Sequence, residues 1–133
     1  MESISLIVTS KVKKFIKEKA DMNVSANFFG PINQDIQQNI EQAIELTKKS
    51  GRKTVMGKDF NYYVENPNIG EVLVVASKIK KFIKDKSTFS TSAQVMEQLT
   101  VRVQKICEKA IENAKNNKRK TVMDRDFEAP TSM

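Results

Sequence analysis

Gly51-Arg52-Lys53-Thr54-Val55-Met56-Gly57-Lys58-Asp59-Phe60 returns, little changed, as Lys118-Arg119-Lys120-Thr121-Val122-Met123-Asp124-Arg125-Asp126-Phe127. Arg52 recurs at Arg119, an offset of 119 − 52 = 67. The same offset carries Ser10-Lys11-Val12-Lys13-Lys14-Phe15-Ile16-Lys17 onto Ser77-Lys78-Ile79-Lys80-Lys81-Phe82-Ile83-Lys84. Two separated blocks sharing one offset, with no insertion between them, mark a tandem duplication.

The repeats divide the 133-residue chain into residues 1–67 and 68–133. A unit of about 65 residues buries too little surface to stand comfortably alone. Both repeats are therefore expected to share one core. The net charge is +7, carried by 23 basic and 16 acidic side chains. Residues 1–67 hold 10 basic and 8 acidic groups, and residues 68–133 hold 13 and 8. Such an excess suits an acidic partner, nucleic acid before an anionic membrane surface. The chain has no histidine and one cysteine. That leaves no internal disulfide, no His-based nucleophile machinery and no zinc set, so an enzyme is disfavoured and no cofactor is expected. Cys107 sits among Val103, Ile106, Ala110 and Ile111 and reads as a buried thiol. No run approaches the roughly 18 apolar residues of a membrane span. The opening Met1-Glu2-Ser3-Ile4-Ser5 has no basic n-region, so the expected location is the cytoplasm.

Val8, Val12, Phe15 and Ile16 form one helical stripe, with Lys13, Lys14 and Lys17 on the other side. Val75, Ile79, Phe82 and Ile83 repeat it against Lys80, Lys81 and Lys84. Thr9 or Ser10 is the expected cap, and Leu6-Ile7-Val8 reads as an extended arm. A short break then leads to Ser25 and Ser92, caps for a long second helix. Its apolar stripe runs through Ile32, Ile36, Ile40 and Ile44 in the first copy, and through Leu99, Val103, Ile106 and Ala110 in the second. Gly30-Pro31 predicts a kink or a late helix start. Ser50-Gly51 ends the first long helix. An exposed basic loop follows, then a short third helix from Gly57 to about Val64. Asn66-Pro67-Asn68-Ile69-Gly70 is the linker. Two amphipathic helices with solvated lysines would explain the lysine-rich stretches equally well by themselves.

Short basic helix, loop, long helix, Arg-Lys-Thr loop, short helix: this order resembles the histone fold. The resemblance rests on the lysine-rich first helices, on Val24-Ser25 and Ser92, and on two loops with an aspartate seven residues after the arginine. It covers residues 9–64 and 76–128. The whole is similar to a prokaryotic histone doublet, a bacterial histone being the nearest kind. The resemblance implies an all-α chain, two tandem histone folds clasped in an intramolecular handshake. It also implies a monomeric pseudodimer whose partner is double-stranded DNA, bound without sequence preference in the nucleoid. The first loop of each repeat would lie beside the second loop of the other.

On that basis the expected DNA contacts are Lys13, Lys14, Lys17, Lys53, Thr54, Lys80, Lys81, Lys84, Lys118, Lys120 and Thr121, touching phosphates rather than bases. Arg52 with Asp59, and Arg119 with Asp126, match the family's ion pair that pins the basic loop. Direct phosphate contact by the arginines is the other reading. Asn23 and Ser90 stand where the family has a groove-inserting arginine, implying shallower docking. Lys49 and Asn116 replace a histidine that helps archaeal relatives stack, so stacked assemblies are not expected. A histone-fold scaffold that binds protein instead of DNA is the alternative function.

Overall fold

The computed structural model describes residues 5–130. The opening residues 1–4, on which the expected lack of a targeting signal rests, lie outside it.

Four helices carry the chain. Helix α1 spans Thr9–Ala20, α2 Phe29–Lys49, α3 Ala76–Ser87 and α4 Gln94–Asn116. Two-residue strands stand between them: β1 Asn23–Val24, β2 Thr54–Val55, β3 Ser90–Thr91 and β4 Thr121–Val122. Single 3-10 turns occupy Ala26–Phe28, Gly57–Asp59 and Asp124–Asp126. None of the described helices is long and apolar enough to cross a membrane.

Helix α1 ends because Asp21 turns left-handed at φ 56°, its N–H still reaching the Lys17 carbonyl at 2.8 Å. Aspartate visits that region at modest cost. Helix α3 ends the same way on Thr88 at φ 66°. Helix α2 ends at Ser50, and Gly51 takes φ 75° at no steric cost, so that the chain reverses into the basic loop.

The strands join the two repeats crosswise. β1 pairs in parallel with β4, Asn23 opposite Thr121 and Val24 opposite Val122. β2 pairs in parallel with β3, Thr54 opposite Ser90 and Val55 opposite Thr91. A third link is an antiparallel bridge between Ile7 and Val74. These links define a pseudo-twofold axis. Residues 7 and 74 are the same position in the two copies, so their contact lies on the axis. The two ladders exchange under the 67-residue offset, so one lies on each side of it.

One apolar cluster draws on all four helices. Val12 and Ile16 come from α1, Ile32, Ile36 and Ile40 from α2, Ile79 and Ile83 from α3, and Leu99, Val103 and Ile106 from α4. Each fully buried aliphatic side chain contributes about 1.5–3 kcal/mol. Leu6 and Leu73 close the cluster beside the bridge, each with its backbone N–H on a long-helix side chain: Leu6 on Asn33 at 2.7 Å, Leu73 on Thr100 at 3.1 Å. The expected extended arm thus has a place. It is held against residues 73–75, with the Val8 N–H on the Leu73 carbonyl and the Val75 N–H on the Leu6 carbonyl, both at 2.8 Å.

Four sequence expectations need correction. Neither Thr9 nor Ser10 caps α1; extended Val8 precedes it, fixed by the bridge, with no side-chain cap. Ser25 stands before a 3-10 turn without capping it through its hydroxyl, and the Ser92 hydroxyl is buried with no partner among the described residues. Of the two readings of Gly30-Pro31 the kink fails and the late start nearly holds: after a 3-10 turn α2 begins at Phe29, two residues before the proline, which falls in the first turn where no N–H is needed. The third helix from Gly57 to Val64 is a single 3-10 turn. The Gln98 side chain takes both polar groups of Val64, accepting from its N–H at 2.9 Å and donating to its carbonyl at 2.7 Å. That brace draws the backbone onto α4 and out of a helix.

Candidate nucleic-acid interface

Each basic loop is built the same way, on a buried carboxylate. Asp59 is 3% exposed and Asp126 is 1% exposed. Arg52 meets Asp59 through both terminal nitrogens, at 3.1 and 2.5 Å. Arg119 meets Asp126 through both at 2.6 Å. The same guanidiniums donate to the loop carbonyls of Thr54, at 3.1 Å, and Thr121, at 3.3 Å. Each carboxylate also accepts from a backbone N–H at 2.8 Å, Met56 for Asp59 and Met123 for Asp126. Asp59 has a further donor in the buried Thr47 hydroxyl at 2.8 Å. Two-pronged geometry of this kind fixes orientation as well as charge.

The electrostatics follow. Burial pushes the Asp59 carboxyl up, but hydrogen bonds from Arg52, Met56 and Thr47 together hold it below the usual carboxylate range. For Asp126 the Arg119 hydrogen bond is the largest influence and outweighs burial, so it too lies below that range. Both arginines are raised, first by the hydrogen bond to their aspartate. Both prongs are taken, which fixes each guanidinium against its own loop.

The lysines of the loops project outward. Lys53 and Lys120 are exposed. Their backbone carbonyls are taken up by the opposite repeat: Ser90 N–H donates to Lys53 at 3.0 Å, and Asn23 N–H to Lys120 at 3.1 Å. The ladder thus fixes each lysine's backbone beside the other repeat's first loop. The Thr54 and Thr121 side chains are half-buried, and among the described residues no hydrogen bond engages their hydroxyls.

Lys13, Lys14 and Lys17 line one groove with Ser10, Met22, Asn23 and Val24. Lys115, Lys118, Arg119 and Lys120 line a second with Ala20, Asp21 and Met22. Met22 belongs to both grooves, so the lysines of α1 and those of the distant loop meet around the β1–β4 ladder. Lys80, Lys81 and Lys84 are exposed on α3, which runs into the β2–β3 ladder.

Some of these charges already have partners. Lys14 reaches Glu71 at 3.9 Å, Lys17 reaches Asp21 at 3.2 Å, and Lys81 reaches Asp85 at 2.8 Å. Exposed pairs of this sort are weak, about 0–1 kcal/mol. Lys13 lies over the Phe29 ring at 5.9 Å. Lys118 is left-handed at φ 59°, where the first copy has Gly51.

Sequence reasoning missed Asp35 and Arg102. They form a buried, two-pronged ion pair between α2 and α4, with both contacts at 2.8 Å. The signal was present: a charge interrupts the apolar stripe at the same position of both copies, with opposite sign. It missed the Gln98 brace as well. Cys107 is fully buried, and burial, then Glu108, pushes its thiol up to about 12, so no thiolate forms near neutral pH.

No family model matches the chain, and no curated protein matches it. Among solved structures it is similar to the histone from Methanopyrus kandleri, with a TM-score of 0.68 and 17% identity, over 90% of this chain and 89% of that one. Helix order, crosswise ladders and this structural likeness agree: the chain is an all-α protein with the histone fold.

Proposed function

We propose that this protein binds double-stranded DNA without regard to sequence and organises it in the nucleoid, acting as a single-chain pseudodimer in the cytoplasm. Residues 1–67 and 68–133 are its two histone-fold halves, of the kind seen in a prokaryotic, bacterial histone doublet. The observation that carries the reading is the pair of crosswise ladders. Each fixes the backbone of an exposed lysine, Lys53 or Lys120, beside a first loop and the lysines of a first helix. Lys13, Lys14, Lys17, Lys80, Lys81, Lys84 and Lys118 supply the remaining cations, and Thr54 and Thr121 supply hydroxyl donors. Such groups neutralise phosphates and release counterions, which gives affinity but reads no bases. Arg52–Asp59 and Arg119–Asp126 hold the loops in shape. The function is binding and calls for neither cofactor nor catalysis.

A scaffold that binds protein through the same fold is the second reading, favoured by exposed Tyr63 and Val64 beside the linker. Titration of the full chain onto mixed-sequence duplexes across salt separates the two. Submicromolar, salt-steep binding that is indifferent to sequence is the expected result. Absence of binding at 50 mM salt would leave the scaffold.

A further inference from the structure

Asp35 and Arg102 occupy the same position in the two copies, 67 residues apart. Because they touch, the ion pair lies on the pseudo-twofold axis, as the Ile7–Val74 bridge does. On that axis a residue of one half faces its own counterpart. Two first halves clasped together would therefore set Asp35 against Asp35, and two second halves Arg102 against Arg102.

We propose that this pair is the partner-specificity determinant of the clasp: the first half recognises the second, and neither recognises itself. Both side chains are almost fully buried, 8% and 10% exposed, so like charges here could not be relieved by water. The surroundings have diverged to match. Asn39 donates its amide to Asp35 Oδ2 at 3.2 Å, while its counterpart position holds Ile106. The Tyr62 ring lies 5.2 Å from the Arg102 guanidinium, while its counterpart position holds Ala129. A donor serves the anion and an aromatic face serves the cation. Three diverged positions thus converge on one contact, whereas the loop pairs Arg52–Asp59 and Arg119–Asp126 are the same in both copies. A buried ion pair stabilises little compared with an apolar pair, but a mismatched one is strongly destabilising, which makes it a selector of partners. The inference concerns which halves clasp and does not depend on DNA binding.

The full chain provides the test, because single substitutions recreate the forbidden seams. Asp35→Arg places arginine against arginine, and Arg102→Asp places aspartate against aspartate. Each is expected to lower the melting temperature by roughly 10 °C or more. The exchanged chain, Asp35→Arg with Arg102→Asp, should recover at least half of that loss. The apolar chain, Asp35→Leu with Arg102→Met, should melt within about 5 °C of the natural protein or above it. If a single variant fails to fold, the exchanged and apolar chains still decide. Single variants that melt like the natural chain, an exchanged chain that loses the sum of both singles, or an apolar chain as damaged as the like-charged ones would each overturn the proposal.

Discussion

Replacing Lys53 and Lys120 by glutamine removes one cation from each ladder and leaves every backbone contact in place. Of the nine lysines in the proposed surface, Lys14, Lys17 and Lys81 already face carboxylates, leaving six without an acidic partner among the described residues. Six phosphate contacts give a slope of log affinity against log salt of about −5.4, and four give about −3.6. Between 50 and 200 mM salt the natural chain should then lose roughly 2,000-fold in affinity and the variant roughly 150-fold. The substitutions lie on exposed loop positions, so stability should move by less than about 0.5 kcal/mol. Fluorescence anisotropy with a labelled mixed-sequence duplex at several salt concentrations measures the slope. The control is Lys105→Gln with Lys109→Gln on α4, which changes net charge equally but lies outside both lysine-lined grooves. Equal slope changes in the two variants would show that overall charge, not the ladders, governs binding. An unchanged slope in the loop variant would move the DNA face elsewhere.

Lys118 stands in a left-handed conformation that glycine adopts freely in the first copy, so Lys118→Gly should stabilise the fold by about 1 kcal/mol. It should also make the salt slope shallower by ~0.9; a variant that melts lower would show that no strain resides there. Glu71 holds Lys11 at 3.2 Å and Lys14 at 3.9 Å, so Glu71→Gln should tighten DNA binding at low salt, and weaker binding would contradict a phosphate role for Lys14. Asp59 and Asp126 are held below the usual carboxylate range, so their stabilisation is complete above the unfolded value of about 3.9 and disappears as pH falls through the lower folded values. Melting temperature should hold from neutral pH to about 5 and drop below about 4; Asp126→Asn should start lower and fall less, and a parallel fall would remove Asp126 from the cause.

The 67-residue repeat and the helix order were legible because they rest on repeated residue types at one offset. The alternation of Val12, Ile16, Lys13 and Lys17 is enough to place a helix and its buried side. The loop ion pairs were accessible only through resemblance, since nothing in the spacing of Arg52 and Asp59 says that the chain folds back between them. Capping and the third helix were misjudged for a tertiary reason. Val8 needs no side-chain cap once Leu73 fixes its backbone, and residues after Asp59 leave the helix because Gln98, 34 positions away, takes both polar groups of Val64. Local rules do not contain such partners.

Whether a charge can recur in both repeats depends on where it lies relative to the axis. Arg52 and Asp59 belong to one repeat, and Arg119 and Asp126 to the other; an ion pair within a repeat can recur unchanged, and it does. A residue on the axis has no such freedom, because its neighbour is its own copy. Apolar side chains tolerate that, as Ile7 and Val74 do at their bridge. A buried charge does not, and Asp35–Arg102 can exist only between halves that differ. Asp35 and Arg102 are themselves that difference, and joining both halves in one chain keeps the unlike halves together. It follows that substitutions which restore sameness should be harmless in the loops and damaging at the seam. Lys118→Gly and Arg102→Asp each make the second half more like the first, yet the first should raise the melting temperature and the second lower it. Two changes toward the same repeat with opposite effects would separate position on the axis from mere loss of divergence.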